Sequence, residues 1–370
     1  MKKIITSLLL SFTVLTIAQE NPPQSVNSIP NGYYNTATGT GYILKTQLFN
    51  IIKDHNDRGY AGLYTTYQTS DIKPNGKVWD MYSNCDFTFG TVANGGNQDN
   101  GTNPAGECGL FNREHTVPQS YFSQATPMYS DAHFVIPSDK VVNATRDDYP
   151  FGKVQTATYT SANGSKLGPN TNSGYSAGFS SVVFEPVDEY KGDIARVLLY
   201  FATRYEDQVA VFYTAAANTS KIKPMFDGSA NRVFSATFIN ILLTWNQQDP
   251  VSAKEITRND AIYARQNNRN PYIDNNQYVT QIWGLPLAVS SFDLASVVVY
   301  PNPSTDVVNI SSEIALDEID IITINGQVLQ QIKKPVMDNN NYTISNLPKG
   351  FYFVKISSDT NSVTKKVLIN

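Results

Sequence analysis

Apolar residues first collect in Ile4 to Ile17, behind Lys2 and Lys3 and ahead of the small residue Ala18. A positive start, a short apolar run and small residues at its end read as an export signal over residues 1–18. The run is too short for a membrane span. Residues 19–40 carry no period and read as an irregular lead-in. Leu44, Leu48, Ile51, Ile52 and His55 then recur at helical spacing, with His55 a packing or surface histidine. A Pro-Asn-Gly turn precedes Val78–Tyr82, which the pattern predicts as a strand. Gly90 to Gly106 reads as a loop, and the Gly/Ser/Asn/Thr-rich residues 153–187 as a long surface excursion.

The strongest helical period follows. Ile194, Val197, Leu198, Phe201, Ala202 and Tyr205 obey the i, i+3, i+4, i+7 rule, with Arg196 and Arg204 on other parts of the helix. A second amphipathic helix is predicted over Phe234–Trp245. A third begins after Pro250, where Ser252 and Glu255 form a capping box, and ends before Asn270-Pro271. Around residue 290 the period changes from helical to alternating. Short strands are predicted at Val307–Ile310, Ile319–Ile324, Val328–Leu329, Phe351–Ile356 and Lys365–Ile369, with a turn at Asn325-Gly326. The expected organisation is a signal over 1–18, a mixed α+β domain over 19–289, a linker over 290–296 and a small immunoglobulin-like β-sandwich over 297–370.

Composition refines this. A chain of 370 residues with 41% hydrophobic content and 22 tyrosines can bury sizeable cores and is not disordered. Export makes Cys85 and Cys108 an expected disulfide, since they flank one loop and would meet an oxidising compartment. No Cys/His cluster suggests structural zinc. The net charge is −4, so binding to a polyanion would require locally concentrated positive charge. Two regions lean basic: Lys191, Arg196, Arg204, Lys221, Lys223 and Arg232, and then Lys254, Arg258, Arg265 and Arg269. Each is also readable as a solvated helix face.

Candidate chemistry concentrates in Arg113–Gly152, which holds two of the 3 histidines. His115 follows Glu114 directly; Asp131, His133, Asn143 and Arg146 come after. A histidine able to take a proton from water, a carboxylate and carboxamide suited to a hard divalent cation, and a guanidinium for an anion are the parts of a metal-dependent phosphodiester hydrolase. Mg²⁺ suits so few protein oxygens, with Ca²⁺ or Mn²⁺ as alternatives. In a regular strand Glu114 and His115 would point to opposite faces, so both serve one site only if it wraps the strand's end.

Residues 107–152 resemble the bacterial endonuclease I family of secreted or periplasmic nucleases with a ββα-metal (His-Me finger) site. The matching pieces are Asn112-Arg113-Glu114-His115, Val117-Pro118-Gln119-Ser120, Asp131-Ala132-His133, Val142-Asn143 with Arg146, and Tyr149–Gly152. Further matches run through Phe184-Glu185-Pro186, Lys191–Arg196, Trp245, Asp249-Pro250 and Gln266–Pro271. The resemblance implies a general base at His115, metal ligands at Glu114 and Asn143, cleavage leaving 5′-phosphates, and recognition through the backbone. It also implies an arginine between histidine and asparagine that holds the cleaved phosphate. Only Lys140 is basic there, so Arg146 or Arg113 is the expected substitute. Asp131 and His133 would orient the site from behind, with a purely structural role for His133 as the alternative. Arg196, Arg258 and Arg269 are candidate substrate contacts or internal braces. The tail, with Val299–Pro303 and Gly350–Lys355, resembles a type IX secretion sorting domain, which implies the secretion machinery as a partner; a glycan-binding module is the alternative. The implied function is a secreted endonuclease acting on DNA and, by extension, RNA. An RNA-specific nuclease and a catalytically silent binding protein are its rivals.

Overall fold

The structure, a computed structural model, describes residues 29–217, 219–284, 297–312, 316–338, 340–358 and 361–370. The expected signal over 1–18 and linker over 290–296 lie outside the described residues. The chain divides into two compact units, one within Met1–Pro286 and one within Leu287–Asn370.

In the first unit, helices α1 (Gly41–Ile52) and α2 (Gly62–Ser70) precede an antiparallel pair, β1 (Phe111–His115) and β2 (Val135–Asp139). Helix α3 (Lys140–Arg146) follows β2 without a connecting residue. This is possible because Asp139 both ends the strand and caps the helix, accepting Val141 N–H at 2.7 Å and Val142 N–H at 3.0 Å. A small sheet of β3 (Tyr159–Thr160), β4 (Lys166–Pro169) and β5 (Val182–Glu185) comes next. Helices α4 (Lys191–Arg204), α5 (Val209–Ala215), α6 (Ala236–Gln248), α7 (Ala253–Gln266), α8 (Pro271–Asp274) and α9 (Gln277–Trp283) complete the unit. The capping box at Ser252 and Glu255 forms as predicted.

Three expectations are corrected. Val78–Tyr82 is not a strand. Buried Asp80 bends the chain there by accepting the N–H of Tyr82 at 2.8 Å, and its other oxygen accepts the N–H of Asp139 at 2.8 Å. Residues 153–187 are not a surface excursion throughout. Phe184 donates its N–H to Pro150 and accepts that of Gly152, which draws β5 into the core. Helix α4 is not amphipathic in the fold, because every one of its residues is buried. Its charged side chains point into the protein, where each has a partner. Gly192 is required at its start: a Cβ there would lie 2.0 Å from the Asp249 carbonyl oxygen.

The second unit is all β. Strands β6 (Val298–Tyr300), β7 (Val308–Ser311) and β10 (Asn341–Ile344) form one antiparallel sheet, in the order β10-β7-β6. Strands β8 (Glu318–Thr323), β9 (Val328–Lys333), β11 (Gly350–Ser358) and β12 (Asn361–Ile369) form the other, in the order β12-β11-β8-β9. Ile310 and Ile344 from the first sheet share a core with Ile319, Ile321, Val354 and Val367 from the second. This is the predicted sandwich. Gly326 supplies the left-handed position of the β8–β9 turn at φ 86°.

Cys85 and Cys108 are bonded, with Cα atoms 5.1 Å apart. The closed loop spans 23 positions, and it borders Asp139, which also accepts the Cys108 N–H at 2.6 Å. Replacing both cysteines with serine is expected to lower stability by about 3 kcal/mol, read as a lower urea midpoint under non-reducing conditions. An unchanged midpoint would show that the loop is held by its other contacts.

Candidate active site

Strand β1 ends at His115, and the site lies at that end. Glu114 and His115 are both buried, at 2% and 5% exposure, yet both line one cavity of about 280 Å³. Asn112, Arg113, Asn143 and Arg146 line it too, with Gln119 and Asp148 at its edge. The strand thus stops where two neighbouring side chains can reach a common space.

Helix α3 brings the third group. The Asn143 side-chain amide donates to Asn112 Oδ1 at 2.8 Å and to the Arg113 carbonyl at 3.4 Å. Those bonds use its nitrogen, and its Oδ1 accepts none among the described residues. Glu114 behaves similarly. Its Oε1 accepts from Arg146 at 3.0 Å and from the Tyr82 hydroxyl at 3.4 Å, whereas Oε2 accepts no hydrogen bond among the described residues. Two oxygens without protein partners therefore belong to the same cavity, a donor set suited to a hard divalent cation. Among the described residues no three His, Cys, Asp or Glu side chains gather as a metal site, so water would supply the remaining ligands. Burial pushes the Glu114 carboxyl up to about 7 against the pull of Arg146.

His115 has its ring oriented by the backbone. Nε2 lies 3.2 Å from the Tyr129 carbonyl. A carbonyl can only accept, so Nε2 carries the proton and Nδ1 presents the lone pair. Burial pushes the imidazole down to about 4, with Arg113 and Arg146 adding to the shift, so the ring is neutral at neutral pH. The ring stacks on Tyr129, with centroids 5.4 Å apart, and Tyr129 stacks on Tyr60 at 4.1 Å.

The two arginines of the cavity differ. Arg146 is 1% exposed and committed to Glu114 and to the carbonyls of His115 and Thr116. Arg113 forms no ion pair among the described residues. Its guanidinium lies 3.5 Å from the Tyr60 ring centroid and 4.4 Å from that of Tyr64. One nitrogen donates to the Tyr60 carbonyl, and Nε has no partner. Lys140 is turned elsewhere, paired with Asp99 at 2.8 Å.

Asp131 and His133 do not touch Glu114, His115 or Asn143. They form a buried hub behind the turn that carries Tyr129. Asp131 accepts the hydroxyls of Tyr200 and Tyr205, each at 2.8 Å, and the Gln266 amide at 2.9 Å. His133 Nε2 binds the Asn268 carbonyl at 3.0 Å. The three arginines read as substrate contacts or internal braces are all interior. Arg196 forms a two-pronged pair with Glu255, Arg258 joins Asp71 to the Ala132 carbonyl, and Arg269 joins Asp260 and Asp274. Of the other basic residues, Lys191 forms a buried pair with Glu185, while Lys221 and Arg232 pair at the surface with Asp147 and Asp227. Sequence reasoning missed Tyr129 and Tyr60. Tyr129 acts through a main-chain oxygen, which carries no side-chain signature, and Tyr60 is far from Arg113 in sequence.

The antiparallel β1–β2 pair running directly into the capped α3 is a ββα unit, and the family match makes the chain a nuclease, a hydrolase of phosphodiester bonds. The chain belongs to the endonuclease I family, whose model ("Endonuclease I") matches residues 40–277. A second model, "Secretion system C-terminal sorting domain", matches residues 298–370. The chain is 33% identical over 255 residues to an extracellular ribonuclease of Bacillus amyloliquefaciens, covering 68% of this chain and 78% of the relative. It is 32% identical over 258 residues to an extracellular ribonuclease of Bacillus subtilis (strain 168), with the same coverage. The protein is secreted or displayed at the cell surface, and no helix among the described residues is long and apolar enough to cross a membrane.

The hub has a pH signature. Burial pushes His133 down to about 4, whereas in the unfolded chain it titrates near the ordinary value of 6.5. Between those values the unfolded chain binds the extra proton, so this residue's contribution falls as pH falls. The stability advantage of the parent over a His133→Gln variant is expected to be largest above pH 6.5. It should shrink toward pH 4 by up to about 1.4 kcal/mol per pH unit, as read from urea midpoints at several pH values. A constant difference would contradict a neutral buried imidazole.

Proposed function

We propose that this protein is a secreted, divalent-metal-dependent endonuclease that cleaves DNA and RNA without strong sequence preference, leaving 5′-phosphate ends. The observation that carries the reading is the orientation of His115. Its Nε2–H is fixed on the Tyr129 carbonyl, which leaves Nδ1 with the lone pair, and His115 lines the same cavity as Glu114 and Asn143. The family membership and the names of the two extracellular ribonucleases support it. Residues 1–18 act as the export signal, 19–289 as the catalytic domain, 290–296 as the linker and 297–370 as the sorting domain engaged by the secretion machinery.

In this reading His115 Nδ1 takes the proton of the attacking water, and the Tyr129 carbonyl holds the resulting imidazolium in place. Glu114 and Asn143 would hold the cation, with Mg²⁺ as the first choice and Ca²⁺ or Mn²⁺ compatible with the same oxygens. Bound there, it would neutralise the phosphate and the leaving alkoxide. Arg113 holds the cleaved phosphate, since its guanidinium is stacked but unneutralised. Arg146 positions Glu114. Asp131, His133 and Arg258 position the turn that carries Tyr129. Arg196 and Arg269 brace the helices.

His115→Ala is expected to lower the rate of plasmid cleavage by about 10²–10⁴-fold with an unchanged melting temperature. An active variant would refute the mechanism. Parallel digestion of DNA and RNA, with and without EDTA, tests the substrate range. Loss of both activities in EDTA supports the proposal; metal-independent cleavage overturns the metal role. Cleavage of RNA alone would favour the narrower activity that the relatives' names describe. Arg113→Ala is expected to cost about 10–100-fold in kcat/KM, as for loss of one charge-assisted phosphate contact. Arg146→Ala should instead lower the melting temperature, because it leaves Glu114 buried without its cation.

A further inference from the structure

Arg196, Arg258 and Arg269 are interior, and the chain carries a net charge of −4. A nuclease still needs cations that are not neutralised by the protein itself. One groove outside the catalytic cavity has them. It has a volume of about 590 Å³, and Lys153, Lys166, Lys191, Tyr175, Glu185 and Asp188 line it. A smaller cavity sharing Lys166, Glu185, Asp188 and Lys191 continues it past Gly164, so the depression is elongated.

The groove has a built floor and a charged rim. Lys191 is 6% exposed and donates to Glu185 and Asp188, each at 2.6 Å. Its ammonium lies 5.9 Å from the Trp245 ring centroid. Glu185 is fully engaged, its second oxygen accepting the Val154 N–H at 2.8 Å. Tyr175, half-buried, is held by the Trp245 indole N–H at 3.4 Å. Lys153 and Lys166 at the rim are exposed; among the described residues neither ammonium forms an ion pair or a side-chain hydrogen bond, although both lie in the field of the exposed Asp188 carboxylate. The Lys153 ammonium lies 5.6 Å from the Tyr175 ring centroid.

The groove is also mechanically joined to the catalytic unit. Phe151, two residues before Lys153, has its ring 4.7 Å from the Arg146 guanidinium. Gly152, between them, donates its N–H to Phe184 of β5 at 3.1 Å. One segment therefore packs on Arg146 of the catalytic cavity and, two residues on, lines the groove.

We infer that this groove is a second nucleic-acid contact. It takes the backbone phosphates of the substrate strand beyond the scissile bond between Lys153 and Lys166, with a base against Tyr175. Exposed cations along an elongated groove with an aromatic ring are what strand binding without base readout requires. The inference rests on the nuclease reading above.

The test compares the parent with a Lys153→Gln/Lys166→Gln double variant on a long single-stranded oligonucleotide and on a dinucleotide. On the long strand, KM is expected to rise about 10-fold with kcat unchanged. The dependence of log(kcat/KM) on log[salt] should become shallower by about 1.4, as for two lost phosphate contacts at ~0.7 each. The dinucleotide should be cut as before. An unchanged KM and salt slope on the long strand would overturn the inference, and so would an equal loss on both substrates, because that would mark damage to the catalytic cavity. Absence of metal-dependent cleavage by the parent would sink the nuclease reading itself, which keeps the two failures apart.

Discussion

A single buried carboxylate, Asp131, sets the geometry on which the site depends. It is fully enclosed and gathers two tyrosine hydroxyls, a glutamine amide and the His133 N–H. A buried anion is tolerable only when hydrogen bonds replace its lost water, and here they come from α4, its C-terminal cap and α7 at once. The turn from Met128 to His133 is pinned from behind, and Arg258 holds it from a second direction through the Ala132 and His133 carbonyls. The same turn presents the Tyr129 carbonyl that fixes the tautomer of His115. The path from the hydrophobic core to the His115 imidazole is thus a chain of hydrogen bonds with few free rotations.

Charge follows a related logic. Arginines that look like substrate contacts in a linear reading are internal struts, each facing a carboxylate or a carbonyl. Removing one partner of such a pair would leave an uncompensated buried charge, which is far more costly than losing an exposed pair. Arg113 and the rim lysines of the second groove form no direct ion pair among the described residues, the lysines feeling Asp188 only at a distance. The difference separates charge that builds the protein from charge that can meet a polyanion.

Much of this was legible in the sequence, and the exceptions have physical causes. The capping box at Ser252 and Glu255, the β8–β9 turn at Asn325-Gly326 and the cysteine pair all act through local or binary rules that a linear pattern records. The Glu-His-…-Asn grouping could be read because side-chain chemistry defines it. Val78–Tyr82 misled because the strand propensity of its residues was overridden by Asp80, a buried polar side chain that captures two main-chain N–H groups. Residues 153–187 misled because polar composition hides the anchoring of Phe184. The burial of Arg196 on all sides was invisible because periodicity reports one face of a helix, and α4 has none exposed. Tyr129 could not be found at all, since its contribution is a main-chain oxygen.

The proposed catalytic and metal-holding side chains lie within Asn112–Arg146, but the groups that brace them arrive much later in the chain. The bond from Tyr200 to Asp131 spans 69 positions, that from Arg258 to Ala132 spans 126, and that from Gln266 to Asp131 spans 135. Contacts of such separation form only after large loops have closed. A growing or partly exported chain that has passed Arg146 but not Gln266 therefore carries the motif without the scaffold that orders it. For a hydrolase directed at nucleic acid, chain order becomes a timing device: the groups for cutting are made first and aligned last.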